Sequence, residues 1–126
     1  MIEQEFISLE QEGIISKANT SEWATPIAPV VKKDGSVRMC ADFKVTVIQA
    51  LEVEKYPLPK IKDIFANLSQ GQKFCKIDLR QTYLQLECDD ASKEILTINT
   101  LKELFTLNRM IYGIASGPAI WQRTKY

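Results

Sequence analysis

The sequence of 126 residues has no histidine and only three cysteines, Cys40, Cys75 and Cys88. Without imidazole and without a Cys-x-x-Cys spacing, a zinc site is not expected. The odd cysteine count fits free, mostly buried thiols in a reducing compartment better than a disulfide framework. Net charge is also missing, since 16 Lys+Arg balance 16 Asp+Glu, so composition alone gives no pointer to nucleic acid. No apolar run approaches the ~20 residues that span a bilayer. Glu3, Gln4 and Glu5 interrupt the amino end before a signal-peptide pattern can form. These absences leave the location open between cytoplasm and nucleus, with no secretion signal and no membrane partner expected. Its 45% hydrophobic and 25% charged residues are those of an ordinary globular chain, long enough for one domain with a core.

The pattern along the chain predicts α+β architecture. Ile2, Phe6 and Leu9 share a helical face over residues 2–12, and Gly13 suits the helix end. Residues 14–29 read as loop, with turn chemistry at Asn19-Thr20-Ser21 and prolines at 26 and 29. Residues 27–33 and 36–44 predict a hairpin around Asp34-Gly35, where glycine accepts positive φ. Residues 45–56 read as an extended connection. Pro57-Leu58-Pro59 opens a helix with Ile61, Ile64, Phe65 and Leu68 as its buried stripe and Gly71 at its end. Phe74 to Ile77 alternate as a strand, 84–87 form another short strand, and Asp89 to Ser92 a turn. A second hairpin joins 95–99 to 104–110, and Ser116 caps a last helix that runs on to Tyr126.

Charge is uneven despite the zero sum. Five glutamates stand against Lys17 alone in residues 1–22, whereas Lys32, Lys33, Arg38 and Lys44 gather around the first hairpin. That cluster is either a phosphate-binding patch or a solvated hairpin face. Asp78 poses a similar choice. At a strand end a carboxylate can meet metal and phosphate while rigidly held; equally, aspartate caps turns and helices.

Several blocks, in order, carry a resemblance. They are Trp23-Ala24-Thr25-Pro26-Ile27, residues Val31 to Lys44, Tyr56-Pro57-Leu58-Pro59 with Phe74 to Leu86, and Tyr112 to Arg123, preceded by Glu12-Gly13-Ile14-Ile15. Together they resemble the amino-terminal half of the reverse transcriptase domain of gypsy-type long-terminal-repeat retrotransposons. The resemblance implies fingers and connecting helix over about residues 1–72 and an incomplete palm over about 73–126, with a largely antiparallel sheet and packed helices. It implies RNA-directed DNA polymerisation on an RNA or DNA template-primer with deoxynucleoside triphosphates and two Mg²⁺ (or Mn²⁺) ions. Asp78 matches the catalytic, metal-holding aspartate, and the Leu79 carbonyl a further metal ligand. Arg38 and Lys32 match triphosphate-binding residues, with Lys33 as the alternative to Lys32. Backbone N–H groups of Gln81 and Thr82 would add phosphate donors. Tyr83 matches the aromatic floor under the sugar, or else is a core tyrosine. Tyr112 would pack against the nucleotide. Trp23 and Pro26 would lie near the template, where Trp23 either stacks on a base or is buried.

The chain departs from the family at Arg80, Thr82, Cys75, Leu101, Glu103, Ile111 and Gly117. A long cation at position 80 would compete with metal near Asp78. The family's Tyr-x-Asp-Asp segment lies downstream of Arg123 and is not among these residues. The expectation is therefore a truncated domain that does not polymerise by itself and has the remainder of the polymerase as a possible partner. The alternatives are a non-enzymatic nucleic-acid or nucleotide-binding module and a relic without function.

Overall fold

Periodicity at the amino end becomes helix α1, Ile2–Gln11, with Glu3 and Glu5 in its first turn where the helix dipole favours negative charge. Phe6 is buried, Leu9 packs on the core, and Gly13 turns the chain at φ +72°. This is a computed structural model, and it describes residues 2–53 and 55–125. Two ends of the sequence-based expectations, the connection through Glu54 and the last helix at Tyr126, fall in part outside the described residues.

The region expected as loop contains strands β1 (Ile15–Ala18) and β2 (Thr25–Pro26). Turn residues and prolines mark its interior correctly, but they conceal short strands whose pairing is long-range. β1 pairs antiparallel with β6 (Leu104–Leu107), β6 with β5 (Thr97–Asn99), and β5 runs parallel to β2, in the order β1-β6-β5-β2. Ile15 stands opposite Leu107 and Ile98 opposite Phe105, which puts all four on one face. They are buried there with Phe6, whose ring stacks on Phe105 at 5.4 Å.

The first hairpin is shorter than expected. β3 (Val30–Val31) and β4 (Val37–Arg38) pair around Asp34-Gly35. Gly35 has φ +81°, and Asp34 accepts from the Ser36 N–H and hydroxyl at 2.9 and 2.6 Å. Past Arg38 the arm continues only as a bridge between Ile27 and Ala41, then turns into a 3₁₀ segment at Phe43–Val45. Phe43 is buried, so the expected strand ends where its side chain enters the core. A short helix α2 (Val47–Ala50) follows instead of an extended connection, with Val47 buried.

Helix α3, Ile61–Leu68, forms as expected, but its apolar stripe is not buried. Ile61 is 70% and Phe65 67% exposed. The expected strand over Phe74 to Ile77 does not form; those residues are irregular and exposed, Ile77 by 80%. Alternation supplies a side-chain pattern, but a strand also needs a neighbour for its backbone N–H and C=O groups. Phe74 has a local contact instead. Its ring lies where a Cβ on Gly71 would be, 2.5 Å from that position.

The short strand expected over 84–87 does not form; a 3₁₀ segment, Thr82–Gln85, is followed by a single bridge from Glu87 to Arg109 reinforced by a 2.8 Å ion pair. The turn at Asp89 is the start of helix α4 (Asp90–Ile95), and Asp89 caps it by accepting from the Ser92 N–H at 2.8 Å. The second hairpin, β5–β6, and helix α5 (Gly117–Lys125) match the expected positions. Cys40 and Cys88 are half-buried and Cys75 is exposed, rather than mostly buried. No helix among the described residues is long and apolar enough to cross a membrane.

Candidate functional site

A cavity of about 380 Å³ opens between hairpin β3–β4 and the segment from Arg80 to Leu84, within the roughly 300–1,000 Å³ range of small-molecule sites. Its floor is apolar and comes from the sheet and the residues around it: Leu9, Ile14, Ile15, Ile98, Leu107 and Ile111. Its other lining residues include the cations Lys32, Arg38 and Arg80, with Glu5 as the carboxylate, and Gln81, Tyr83 and Tyr112. Cations and aromatic faces beside an apolar floor suit a ligand with an anionic end and a flat or apolar end.

Each wall residue has a local reason for its place. Lys32 and Arg38 sit on opposite arms of the hairpin, and the Lys32 N–H donates to the Ser36 carbonyl at 2.8 Å while its own carbonyl accepts from Gly35 at 3.0 Å. The Arg38 guanidinium lies over the Tyr112 ring, 4.8 Å from its centroid, an attraction of about 0.5–1 kcal/mol at an exposed site. Tyr112 in turn meets Tyr83 edge to face, with centroids 4.8 Å apart. Burial, then the neighbouring Tyr112, pushes the Tyr83 phenol above its ordinary value; it therefore stays a neutral donor and acceptor near neutrality. Gln81 adopts left-handed backbone, φ 49°. That bend starts the 3₁₀ segment that carries Tyr83 into the cavity wall.

Of the residues singled out from the sequence, Lys32, Arg38, Gln81, Tyr83 and Tyr112 meet at this cavity. Lys33 lies in the exposed hairpin turn and is not part of the lining. Thr82 is half-buried, and its hydroxyl donates to the Leu79 carbonyl at 3.0 Å. That carbonyl, the expected further metal ligand, thus already has a partner. Asp78 lies outside the lining, on irregular exposed backbone, and forms no ion pair among the described residues. Trp23 packs against the core and Pro26 pairs with Asn99 in the sheet; neither lines the cavity.

A divalent metal centre does not fit this donor set. Among the described residues no three of His, Cys, Asp and Glu come together as a metal site, and Mg²⁺ requires about six hard oxygens of which one carboxylate supplies few. Asp89, the other conspicuous acid, is committed to capping α4. What sequence reasoning missed is the floor and Arg80. Arg80 stood out only as a departure near Asp78, and a single chain carries no signal that residues as distant as Ile14, Arg80 and Ile98 converge.

The chain is similar to an uncharacterized protein of Caenorhabditis elegans, 38% identical over 124 residues, covering 97% of this chain and 10% of that protein. It is also similar to the retrovirus-related Pol polyprotein from transposon opus of Drosophila melanogaster, 28% identical over 126 residues, covering 97% of this chain and 12% of the polyprotein. The structure of a foamy viral protease-reverse transcriptase in complex with dsDNA matches 98% of this chain and 26% of its own, with a TM-score of 0.79 at 22% identity. No family model matches. The chain thus spans about a tenth of the length of the curated relatives it matches. Its relatives include retroelement Pol polyproteins, and its α+β fold is that of part of a retroviral protease-reverse transcriptase.

Proposed function

We propose that this chain is the nucleotide-binding part of a reverse transcriptase domain of gypsy type, holding a deoxynucleoside triphosphate in the cavity and lying along a template-primer duplex. The observation that carries the reading is the convergence of Lys32, Arg38, Tyr83 and Tyr112 on one cavity. A guanidinium and an ammonium match a triphosphate, and two aromatic rings match a sugar and base. Similarity to a Pol polyprotein and to a fold solved with double-stranded DNA supports the same reading. Residues 1–72 would serve as fingers with connecting helix, and 73–126 as the first part of the palm.

In the longer polyprotein the activity would be RNA-directed DNA polymerisation with Mg²⁺ or Mn²⁺. A metal centre there would draw on carboxylates beyond Asp78, since no cluster of three His, Cys, Asp or Glu forms among the described residues. The exposed apolar residues of α3 and of Phe74 to Leu79 would be where the rest of the polymerase packs. By itself the chain binds and does not polymerise. Template-dependent primer extension by this chain, lost on Asp78→Asn, would overturn that statement.

The site is tested by calorimetric titration with a deoxynucleoside triphosphate in Mg²⁺ buffer. Arg38→Ala should weaken binding by about tenfold or more, the usual loss for a charge-assisted contact. Unchanged affinity would remove the cavity from the argument. Duplex binding should weaken as salt rises, since phosphate contacts release counterions.

A further inference from the structure

A second cavity, sharing no lining residue with the first, lies between α1 and the turn of hairpin β5–β6. This open groove of about 400 Å³ has an apolar base of Ile2, Phe6, Ile7, Ile27 and Phe105. Leu101 stands at its rim, fully exposed. We propose that this face is a self-association surface. Two copies of the chain pair through it about a twofold axis, each inserting Leu101 into the other's groove.

Three features select a second copy as the occupant. A projection and a recess on one face are complementary to the same face turned by half a rotation, which is what an isologous interface requires. The projection is also held in place. The Thr100 hydroxyl donates to the Glu103 carbonyl at 2.7 Å and accepts from the Glu103 N–H at 3.0 Å, and the Thr100 N–H donates to the same carbonyl at 3.0 Å. Leu101, the second residue of this locked turn, therefore loses little backbone freedom on docking. Third, the rim charges are matched within each copy. Lys102 pairs with Glu3, and Lys17 with Glu103 at 3.2 Å. Of the rim acids, only Glu10 forms no ion pair among the described residues, so two such rims face each other with little repulsion. Pairing would cover Ile2 and Ile7, 39% and 55% exposed, together with Leu101. A patch of this extent belongs with interfaces below about 1,200 Å² in total, whose association is weak. Leu101 and Glu103 are two of the chain's departures from the gypsy-type pattern, so the projection and one of the two ion pairs are features of this chain.

The test is sedimentation velocity on the whole chain from micromolar to millimolar concentration. The species should shift from monomer to dimer and grow no further. Leu101→Lys and Ile7→Glu should each weaken association by about tenfold or more. Mixing the two variants should restore it. The mixed pair keeps one Leu101–groove contact and sets the introduced ammonium against the introduced carboxylate in the other. Phe65→Asp on α3, a separate exposed apolar surface, should change nothing. Melting curves of Leu101→Lys should superimpose on the parent's, because Leu101 is exposed. A monomer at every concentration, growth beyond the dimer, or no recovery in the mixture would overturn the inference. So would association that is lost on Phe65→Asp and kept in Leu101→Lys, which would place the contact on α3. The nucleotide reading stands or falls separately, since the two cavities have no residue in common.

Discussion

Residues 2–50 and 82–125 differ sharply from the arm between them. The first set supplies the whole buried core among the described residues, from Phe6 through Phe43 and Ile98 to Ala119. The arm, residues 51–53 and 55–81, has only exposed residues, although it holds Leu58, Ile61, Ile64, Phe65, Leu68, Phe74 and Ile77. Hydrophobic content does not separate the two. What separates them is backbone pairing. β1, β2, β5 and β6 satisfy one another's N–H and C=O groups and so bring side chains from far apart into one layer. The arm has an eight-residue helix and irregular chain, with no sheet neighbour to draw it in. An apolar stripe shows which face of an element seeks cover; it does not say what provides the cover.

The largest test of this contrast is a pair of truncations. Ile98→Ala, at a residue with 0% exposure, should cost about 2–5 kcal/mol in denaturant unfolding, from lost transfer free energy and a cavity. Phe65→Ala, at a residue 67% exposed, should stay within about 0.5 kcal/mol. Similar costs would mean that α3 is covered in solution. A finer measure is amide hydrogen exchange. Amides of Thr97–Asn99 and Leu104–Leu107 should be the slowest, whereas those of Ile61–Leu68 should exchange fast, since helices below about 12–15 residues are marginal without tertiary cover. Slow exchange across Ile61–Leu68 would contradict the division.

The smallest effect is electrostatic and belongs to the packed region. Hydrogen bonds from the Ser92 hydroxyl and N–H hold the Asp89 carboxyl below its ordinary value of 3.8. A carboxyl depressed in the folded state stabilises fully above its unfolded value and loses that contribution as pH falls through the folded one. Asp89→Asn keeps a capping acceptor but removes the titration, so its melting temperature should fall less than the parent's between about pH 6 and about pH 3. An identical fall in both proteins would show that the cap does not couple to protonation.

Legibility followed interaction range. α1, the Asp34-Gly35 turn, β5–β6 and α5 were readable because periodicity, positive-φ glycine and turn chemistry act within a few residues. β1 and β2 were not, because two- to four-residue strands carry too little alternation and exist only through partners some 70 to 90 positions away. At the site, resemblance named Lys32, Arg38, Gln81, Tyr83 and Tyr112, which line one cavity. It also named Lys33, Thr82, Trp23, Pro26 and Asp78, which do not. Adjacent residues fare differently because chain direction at a turn decides which side chain faces inward, as Lys32 and Lys33 show.

The residue order by itself determined the α+β character, the hairpin turns, the apolar face of each helix and the presence of a basic hairpin, all local consequences of backbone sterics and side-chain spacing. Tertiary structure alone decided which apolar faces are buried, that Arg38 lies on Tyr112 across 74 positions of chain, and that Arg80 joins the cavity while Asp78 stays outside it. Those outcomes depend on long-range strand pairing, whose free energy is realised only when distant segments meet and satisfy one another's backbone groups.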